Sequence, residues 1–287
     1  MVRTRLSLLD KLSLVREKRL FKRVMGYPCD LDNPRTYSEK IVWRKVFDRN
    51  PLFPVVQDKI RMRDYVREML GDKEADEILV PLYFVTDDPE KIPFDTLPDR
   101  YVIKANHGSG WVIPVEDGRT VDRRDVVRRC RKWFGTVYGK KRMEWAYRFI
   151  NPLVYGEEYL LENGKVPTDY KILVFGGRVR LFYAYYDRFG EASHAFFDER
   201  GNRLYNTGKH EAKSGLELPP NFGEMSAVAE RLASPFDYLR VDLYSFHGSI
   251  RLGEMTVYPG SGTHPYPRHM DELLGSYWKL PDPACGS

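Results

Sequence analysis

The sequence predicts an α+β fold in which a hairpin-rich lobe faces a second one. Three observations predict it. Apolar, strand-like runs come in pairs across short turns, as "RYVIKAN" with "WVIPVED" and "YLRVDLYSF" with "SIRLGEMTVY". Segments of helical period with capping residues are mixed among these pairs. Hydrophobic residues at 42% and aromatics at 14% of 287 residues supply a core for one large domain or two small ones.

The start, "MVRTRLSLLDKLSLVREKRLFKRVMG", reads as one basic amphipathic helix with Leu8, Leu9, Leu12, Val15, Leu20 and Phe21 apolar. Residues 1–24 hold eight Lys or Arg against Asp10 and Glu17, which is +6, so the rest of the +5 chain carries −1. A nucleic-acid binder more often spreads its basic footprint through the domain, so no nucleic acid is expected. Such a helix either packs on its own domain or lies on an anionic membrane surface or a partner. Residues 34–48 look helical from about Tyr37, with Thr36 or Ser38 as N-cap and Ile41, Trp43 and Val46 buried. After the turn "RNPLFP", a helix runs from Lys59 to Leu70. "ILVPLYFVT" reads as a strand, "PEKIPFDTLPD" as a Pro-punctuated connection, and "RYVIKAN" and "WVIPVED" as a hairpin. Residues 122–148 form a charged, amphipathic helical region. The runs "LVYGEEYLL", "DYKILVFGG" and "RVRLFYAYYD" follow, then a helix over about 223–234 and the last two strands.

Cys29, Cys130 and Cys285 are widely spaced and odd in number, which gives neither a disulfide framework nor a zinc-ligand spacing. A reducing cytoplasm is expected, with the inner face of the membrane as the site if the basic helix lies on lipid. No apolar run reaches the roughly 18 residues that span a bilayer. The N-terminus has no clean apolar core with a cleavage site, so no signal peptide is expected.

Five segments carry candidate chemistry. Lys104 interrupts an apolar run, and a lysine there is costly unless an anion meets it. The turn after it, Asn106, His107, Gly108, Ser109 and Gly110, can expose backbone N–H groups in a concave nest. Together they would grip a phosphate chain; an ordinary hairpin turn with a snorkelling lysine is the alternative. No Walker A element occurs, and the nearest approach, "GTVYGKK" at 135–141, has the wrong spacing and no hydroxyl. In "RVDLYSFHGSIRLGEMT", a hairpin centred on Gly248 sets Asp242 opposite Glu254 and Arg240 opposite Thr256. Opposed carboxylates repel unless a cation lies between them, and oxygen ligands of this kind suit Mg²⁺. A solvated polar face is the alternative, and a one-residue slip would turn Glu254 away. "YPGSG" at 258–262 can bring backbone donors around Ser261 and Gly262 to a transferring phosphoryl group, or be a plain turn. In "GEEYL", Glu157, Glu158, Tyr159 and Leu160 could hold a base and ribose. Lys59, Arg61 and Arg63 near a helix start could touch phosphate or be solvated surface charge.

Taken in order, "DKIRMR", "VIKANHGSG", "EEYL", "RVDLY" and "GEMTVYPGSG" resemble the ATP-grasp superfamily. With "NPRTYSEKIVWRKVFDRNPLF", the likeness is to the TupA-like ATP-grasp proteins of bacterial surface-polysaccharide and capsule biosynthesis, from about Asn33 to Leu280. The basic helix before Gly26 lies outside it. The resemblance implies an ATP-grasp fold, two α+β lobes whose antiparallel sheets clamp ATP. It divides the chain into the helix at 1–26, an N-terminal region at 27–100, a small ATP-binding lobe at 101–155 and a C-terminal lobe at 156–287.

The resemblance also implies roles. Lys59 and Lys104 match the lysines that meet ATP phosphates, and His107, Gly108, Ser109 and Gly110 match the loop that closes over them. Glu157, Glu158, Tyr159 and Leu160 match the hinge for adenine and ribose; Asp242 and Glu254 match the Mg²⁺ carboxylates. Arg240 matches the arginine that steadies a developing oxyanion, and Thr256 stands where the wider superfamily has Asn. Asp169 and Lys171 are expected to face the cleft, with structural strand positions as the alternative. An acidic acceptor would meet Lys171, Arg180 or Arg188. The implied reaction joins a uronate of a glycan or its precursor to an amine through an acyl phosphate, using ATP and Mg²⁺. A sugar kinase, or a sugar-transferase or non-catalytic part of polysaccharide assembly, is the alternative.

Overall fold

Two antiparallel sheets organise the chain in a computed structural model that describes residues 7–186, 193–208, 211–212 and 217–281. Helices α1 (Leu8–Met25), α2 (Tyr37–Phe47), α3 (Phe53–Gln57), α4 (Arg61–Leu70) and α5 (Asp72–Ile78) come first. Strands β1 (Leu82–Thr86), β2 (Tyr101–Ala105) and β3 (Val112–Val115) precede α6 (Arg123–Phe134) and β4 (Val154–Glu157). Then follow β5 (Asp169–Phe175), β6 (Arg178–Tyr186), β7 (Ser193–Asp198), β8 (Arg203–Leu204) and α7 (Phe222–Ala233). The hairpin of β9 (Tyr238–Phe246) and β10 (Ser249–Thr256) and helix α8 (Arg268–Tyr277) end the described fold. The expected α+β class holds. Arg3, Arg5, Arg188 and Cys285 lie outside the described residues.

Local chemistry explains where elements start and stop. Thr36 caps α2 by accepting from the Glu39 N–H, and Glu39 returns the bond to the Thr36 N–H, a capping box. The run "ILVPLYFVT" is split, because Ile78 closes α5 and Pro81 lacks the donor a ladder needs. The helix expected over 122–148 stops at Phe134. Gly139 (φ 69°) and Met143 (φ 60°) bend the rest into short 3₁₀ turns at 140–142 and 145–149.

The smaller sheet has the order β1-β4-β2-β3 and the larger β10-β9-β5-β6-β7-β8. One face of the larger sheet packs Ile172, Val174, Val241 and Leu243 against α3, α4, α5 and α7. Its other face changes character along its length. Leu173, Phe175 and Tyr238 pack under α2 and α8, while Asp169, Lys171, Arg240 and Asp242 share the same face at the other end. Strand periodicity therefore places the charged quartet beside a core, facing the small sheet's loop.

Arg44 joins α2 to this sheet. Wholly buried, it donates to the Tyr238 carbonyl at 2.9 Å, pairs with Asp237 and lies 4.5 Å over the Trp278 ring. Helix α1 packs through Phe21, which is fully buried and meets Tyr27 edge-on. The single apolar side expected for α1 does not form. Leu8, Leu12 and Val15 are exposed on the side away from Phe21, because residues 8, 12 and 15 fall together on a helix and residue 21 falls nearly opposite.

Helix α8 approaches α2 so closely that a Cβ on Gly275 would stand 2.1 Å from the Arg35 carbonyl oxygen. Gly275→Ala is expected to destabilise the fold by about 2 kcal/mol or more, read as a lower urea midpoint. Gly223→Ala, where a Cβ meets nothing within 4 Å, should be neutral or slightly stabilising.

Candidate functional site

The β9–β10 hairpin turns through His247 and Gly248, both at positive φ (49° and 77°), so Phe246 pairs with Ser249 and Leu243 with Leu252. Continued unchanged, that register would put Glu254 on the face opposite to Asp242. A bulge at Gly253 shifts the pairing, so Glu254 faces Asp242 and Thr256 faces Arg240. Two carboxylates about 5 Å apart repel by roughly 3 kcal/mol at an effective dielectric of 20.

The cation between them is Arg240. Its Nε donates to Asp242 Oδ1 at 2.6 Å, and its Nη2 reaches Asp242 Oδ2 at 2.7 Å, Glu254 Oε1 at 3.0 Å and Thr256 Oγ1 at 3.2 Å. Lys171 adds a bond to Asp242 Oδ2 at 3.0 Å and pairs with Asp169. Burial alone would discharge Lys171, but Asp242 and Asp169 outweigh it and hold the ammonium above its ordinary pKa. Burial pushes the Asp242 carboxyl up, with Arg240 and Lys171 pulling against it. Both Asp242 oxygens already accept from these cations. Asp242, Glu254 and Thr256, the three expected metal ligands, thus lie together around the Arg240 guanidinium. Among the described residues no group of three His, Cys, Asp or Glu gathers around a metal position.

Lys59 links the sheets. Its ammonium donates to the Gly108 carbonyl at 2.8 Å and stands 3.6 Å from Glu254 Oε2. Lys104 pairs with Glu157 across the small sheet. Beneath the glycine loop, Asn106 is fully buried and donates to Asp58 Oδ1 at 2.9 Å and the Asn151 carbonyl at 3.0 Å. Its own Oδ1 accepts from the Leu153 N–H at 2.7 Å. His107 is also buried, its Nδ1 facing Asn106 Oδ1 at 3.0 Å and its Nε2 facing the Trp133 carbonyl at 3.2 Å. Only the imidazolium could donate to both, while burial pushes the ring's pKa down. The expected contact of His107 with phosphate does not follow from this position; the ring pins the loop from below. Gly108 leaves room for Trp111, and Ser109 and Gly110 are exposed at the tip.

A cavity of about 520 Å³ brings Ser109 together with Arg240, Glu254, Thr256 and Ser261. A second, of about 240 Å³, is lined by Lys171, Arg240, Tyr183, Tyr185 and Tyr266, so Arg240 forms a wall of both. Ser261 (φ 55°) is buried, and its carbonyl and hydroxyl accept from Lys45 at 2.7 and 3.0 Å. Lys45 is itself buried against Glu17 of α1, and Arg142 binds both Glu17 and Thr263 Oγ1. At Gly262 a Cβ would stand 2.9 Å from the Ser38 carbonyl oxygen. The loop thus sits tight on α2.

Other expected residues lie elsewhere. Glu158 gives its N–H to the Pro81 carbonyl, Tyr159 reaches Glu116, and Leu160 is buried, all at the connection between the sheets. Arg63 holds the Val80 carbonyl, Arg61 is exposed, and Arg180 lies over the Tyr277 ring. Residues the sequence reading did not place here are Arg142, Glu144 and Tyr147, which line the larger cavity with Thr136–Lys141. Burial pushes the Glu144 carboxyl up. The available signal was the paired glycines of "GTVYGKK", which end a helix and free the segment to line a site.

Asn106→Leu would strand the Leu153 N–H and leave the buried Asp58 carboxylate short of a donor. A loss of about 3 kcal/mol or more is expected in urea unfolding, with faster proteolysis at residues 107–110.

No curated protein matches the chain. Among solved structures it is similar to D-alanine–D-alanine ligase from Bacillus anthracis complexed with ATP, at 16% identity and TM-score 0.39, covering 71% of this chain and 54% of that one. It is also similar to the ATP-grasp ligase PsnB complexed with a phosphomimetic variant of its minimal precursor, Mg and ADP, at 14% identity, TM-score 0.42, 80% of this chain and 61% of that one. A third is N5-carboxyaminoimidazole synthase from Aspergillus clavatus with ADP and its ribonucleotide, at 9% identity, TM-score 0.43, 72% and 46%. The chain spans about half to three fifths of these proteins' lengths. The family described as TupA-like ATPgrasp matches residues 39–279, from within α2 past the end of α8. The chain therefore belongs to the TupA-like ATPgrasp family.

Proposed function

We propose that the protein is an ATP-dependent carboxylate–amine ligase acting through an acyl phosphate, with a uronate-bearing polysaccharide or its precursor as acceptor. The observation that carries this reading is Arg240, held by Asp242, Glu254 and Thr256 in the wall common to the two cavities. A donor phosphate on the Ser109 side and a carboxylate on the Lys171 side would then meet across one guanidinium. Three tyrosines in the smaller cavity suit the apolar face of a sugar ring, and Lys171 suits its carboxylate.

Lys59 and Lys104 would exchange part of their pairing with Glu254 and Glu157 for ATP phosphates. Mg²⁺ usually takes one or two carboxylates together with substrate phosphates, so Glu254 and Thr256 fit it on the chemistry of their oxygens. When bound, it would supply charge neutralisation to the phosphate chain. Arg240 would steady charge as a carboxylate oxygen bonds to the γ-phosphorus and ADP departs. The amine would then bond to the acyl carbon as phosphate leaves. Ser109 and Gly110, exposed above the buried Asn106 and His107, would exclude water from the acyl phosphate. ATP as co-substrate, with Cys29 and Cys130 buried as free thiols, supports the cytoplasm as the site.

Incubation with Mg-ATP, uronates and amino acids or other amines should yield ADP, phosphate and an amide in equal amounts. A phosphorylated sugar with no free phosphate would make the protein a kinase and overturn the ligase reading. Glu254→Gln keeps an oxygen for Arg240 but loses charge. A fall of about 10²–10³-fold in kcat is expected with an unchanged melting temperature. Near-normal turnover in that variant would remove the hairpin from the mechanism.

A further inference from the structure

The structure leaves one face of α1 unused by its own domain. Leu8, Leu12 and Val15 are 74, 62 and 49% exposed. Leu8, Leu12 and Arg16 fall four apart along the helix, as do Lys11, Val15, Arg19 and Arg23, so the two rows lie side by side on one face. The apolar end of that face belongs to the first half of the helix and its cationic end to the second. Lys18 and Lys22 extend the positive charge along one flank.

The helix's acids do not offset this charge. Glu17 is 2% exposed, turned away from Leu8, Leu12 and Val15, with its carboxylate already bound to Lys45 and Arg142, and Asp10 accepts from the Ser7 hydroxyl at 2.7 Å. Arg16, Arg19 and Arg23 line a concavity of about 510 Å³ with Glu17 and Leu20 of the same helix and Lys141 and Arg142 of the neighbouring turn, five cations to one carboxylate. Among the described residues Arg16, Arg19, Arg23 and Lys141 form no ion pair. No helix of the described residues is long and apolar enough to cross a membrane.

We propose that α1 docks the protein on an anionic bilayer. Leu8, Leu12 and Val15 enter the boundary between headgroups and acyl chains, and Arg16, Arg19, Arg23 and Lys141 meet lipid phosphates in the concavity. Cations flanking a short apolar stripe are the pattern of a helix lying in a membrane interface. Three apolar side chains fall well short of the surface that a stable protein–protein contact buries, which favours lipid over a second copy of the chain. The helix is already folded and tied to the domain by Phe21 and Glu17, so docking orients the whole molecule. Lys141 and Arg142 line both the concavity and the larger cavity, so a docked molecule holds one wall of its candidate site beside the headgroups.

Full-length protein should co-sediment with vesicles of phosphatidylcholine and phosphatidylglycerol in equal parts, and not with phosphatidylcholine alone. The variant Leu8→Ser, Leu12→Ser, Val15→Ser and the variant Arg19→Glu, Arg23→Glu should each lose about ten-fold or more of that binding. Their circular dichroism should be unchanged, since all five side chains are exposed. Failure of the unaltered protein to bind the anionic vesicles overturns the proposal, as does undiminished binding by the serine variant. A lipid-free dimer in sedimentation velocity that the serine variant abolishes would assign the face to a second copy and overturn it equally.

Discussion

Two carboxylates opposed on one face of a hairpin need a cation, and the whole charged end of the large sheet is built on how that need is met. Arg240 meets it with a planar fork that takes both Asp242 oxygens and still reaches Glu254 and Thr256. A lysine would offer one point charge and leave an acceptor unserved. Lys171 on β5, opposite Asp242, then balances Asp169, and Lys59 from the turn between α3 and α4 reaches Glu254. Pairs two apart on one strand, Asp169 with Lys171 and Arg240 with Asp242, are tied across strands by Lys171 to Asp242 and Arg240 to Glu254, so sheet register positions the quartet.

That rigidity depends on a division within one sheet face. From Lys171 to Leu173 and from Arg240 to Tyr238, a single strand step separates charge from core. Tyr37 and Trp278 cover the apolar end, and the candidate site begins where their cover stops. The "YPGSG" loop closes the same end against α2 through Lys45, whose buried ammonium is balanced by Glu17 of α1. Burying such a pair is costly unless its geometry is well satisfied, and here two further bonds to Ser261 satisfy it. A helix outside the matched family span thereby contributes to the support of a loop inside it.

Much of this was legible in the sequence, for identifiable reasons. The capping box at Thr36 and Glu39 acts over three residues, so local chemistry announced α2. The facing of Asp242 and Glu254 was also readable, yet by a different route from the one the chain takes. A hairpin centred on Gly248 gives that pairing by symmetry, whereas the protein uses a two-residue turn and corrects the register at Gly253. What stayed hidden is tertiary. Arg240 as the cation between the carboxylates, and Asn106 and His107 as anchors beneath the loop, depend on residues 14 to 47 positions away. Amphipathic pattern in α1 showed that apolar residues were present, but not that Phe21 and Leu12 belong to opposite sides of use.

The bulge at Gly253 also sets what lengths this hairpin can have. Side chains alternate faces with each residue, so one residue added or removed between Asp242 and Glu254 exchanges inside for outside at one carboxylate. Residues gained or lost in pairs, one on each strand, move the tip outward or inward and leave the facing intact. Relatives that keep this charge arrangement are thus free to vary in tip length by even counts, while odd counts require a bulge to be created or erased. The spacing of twelve between the two acids is one member of an even series, and Gly253 is the residue that makes a two-residue turn compatible with it.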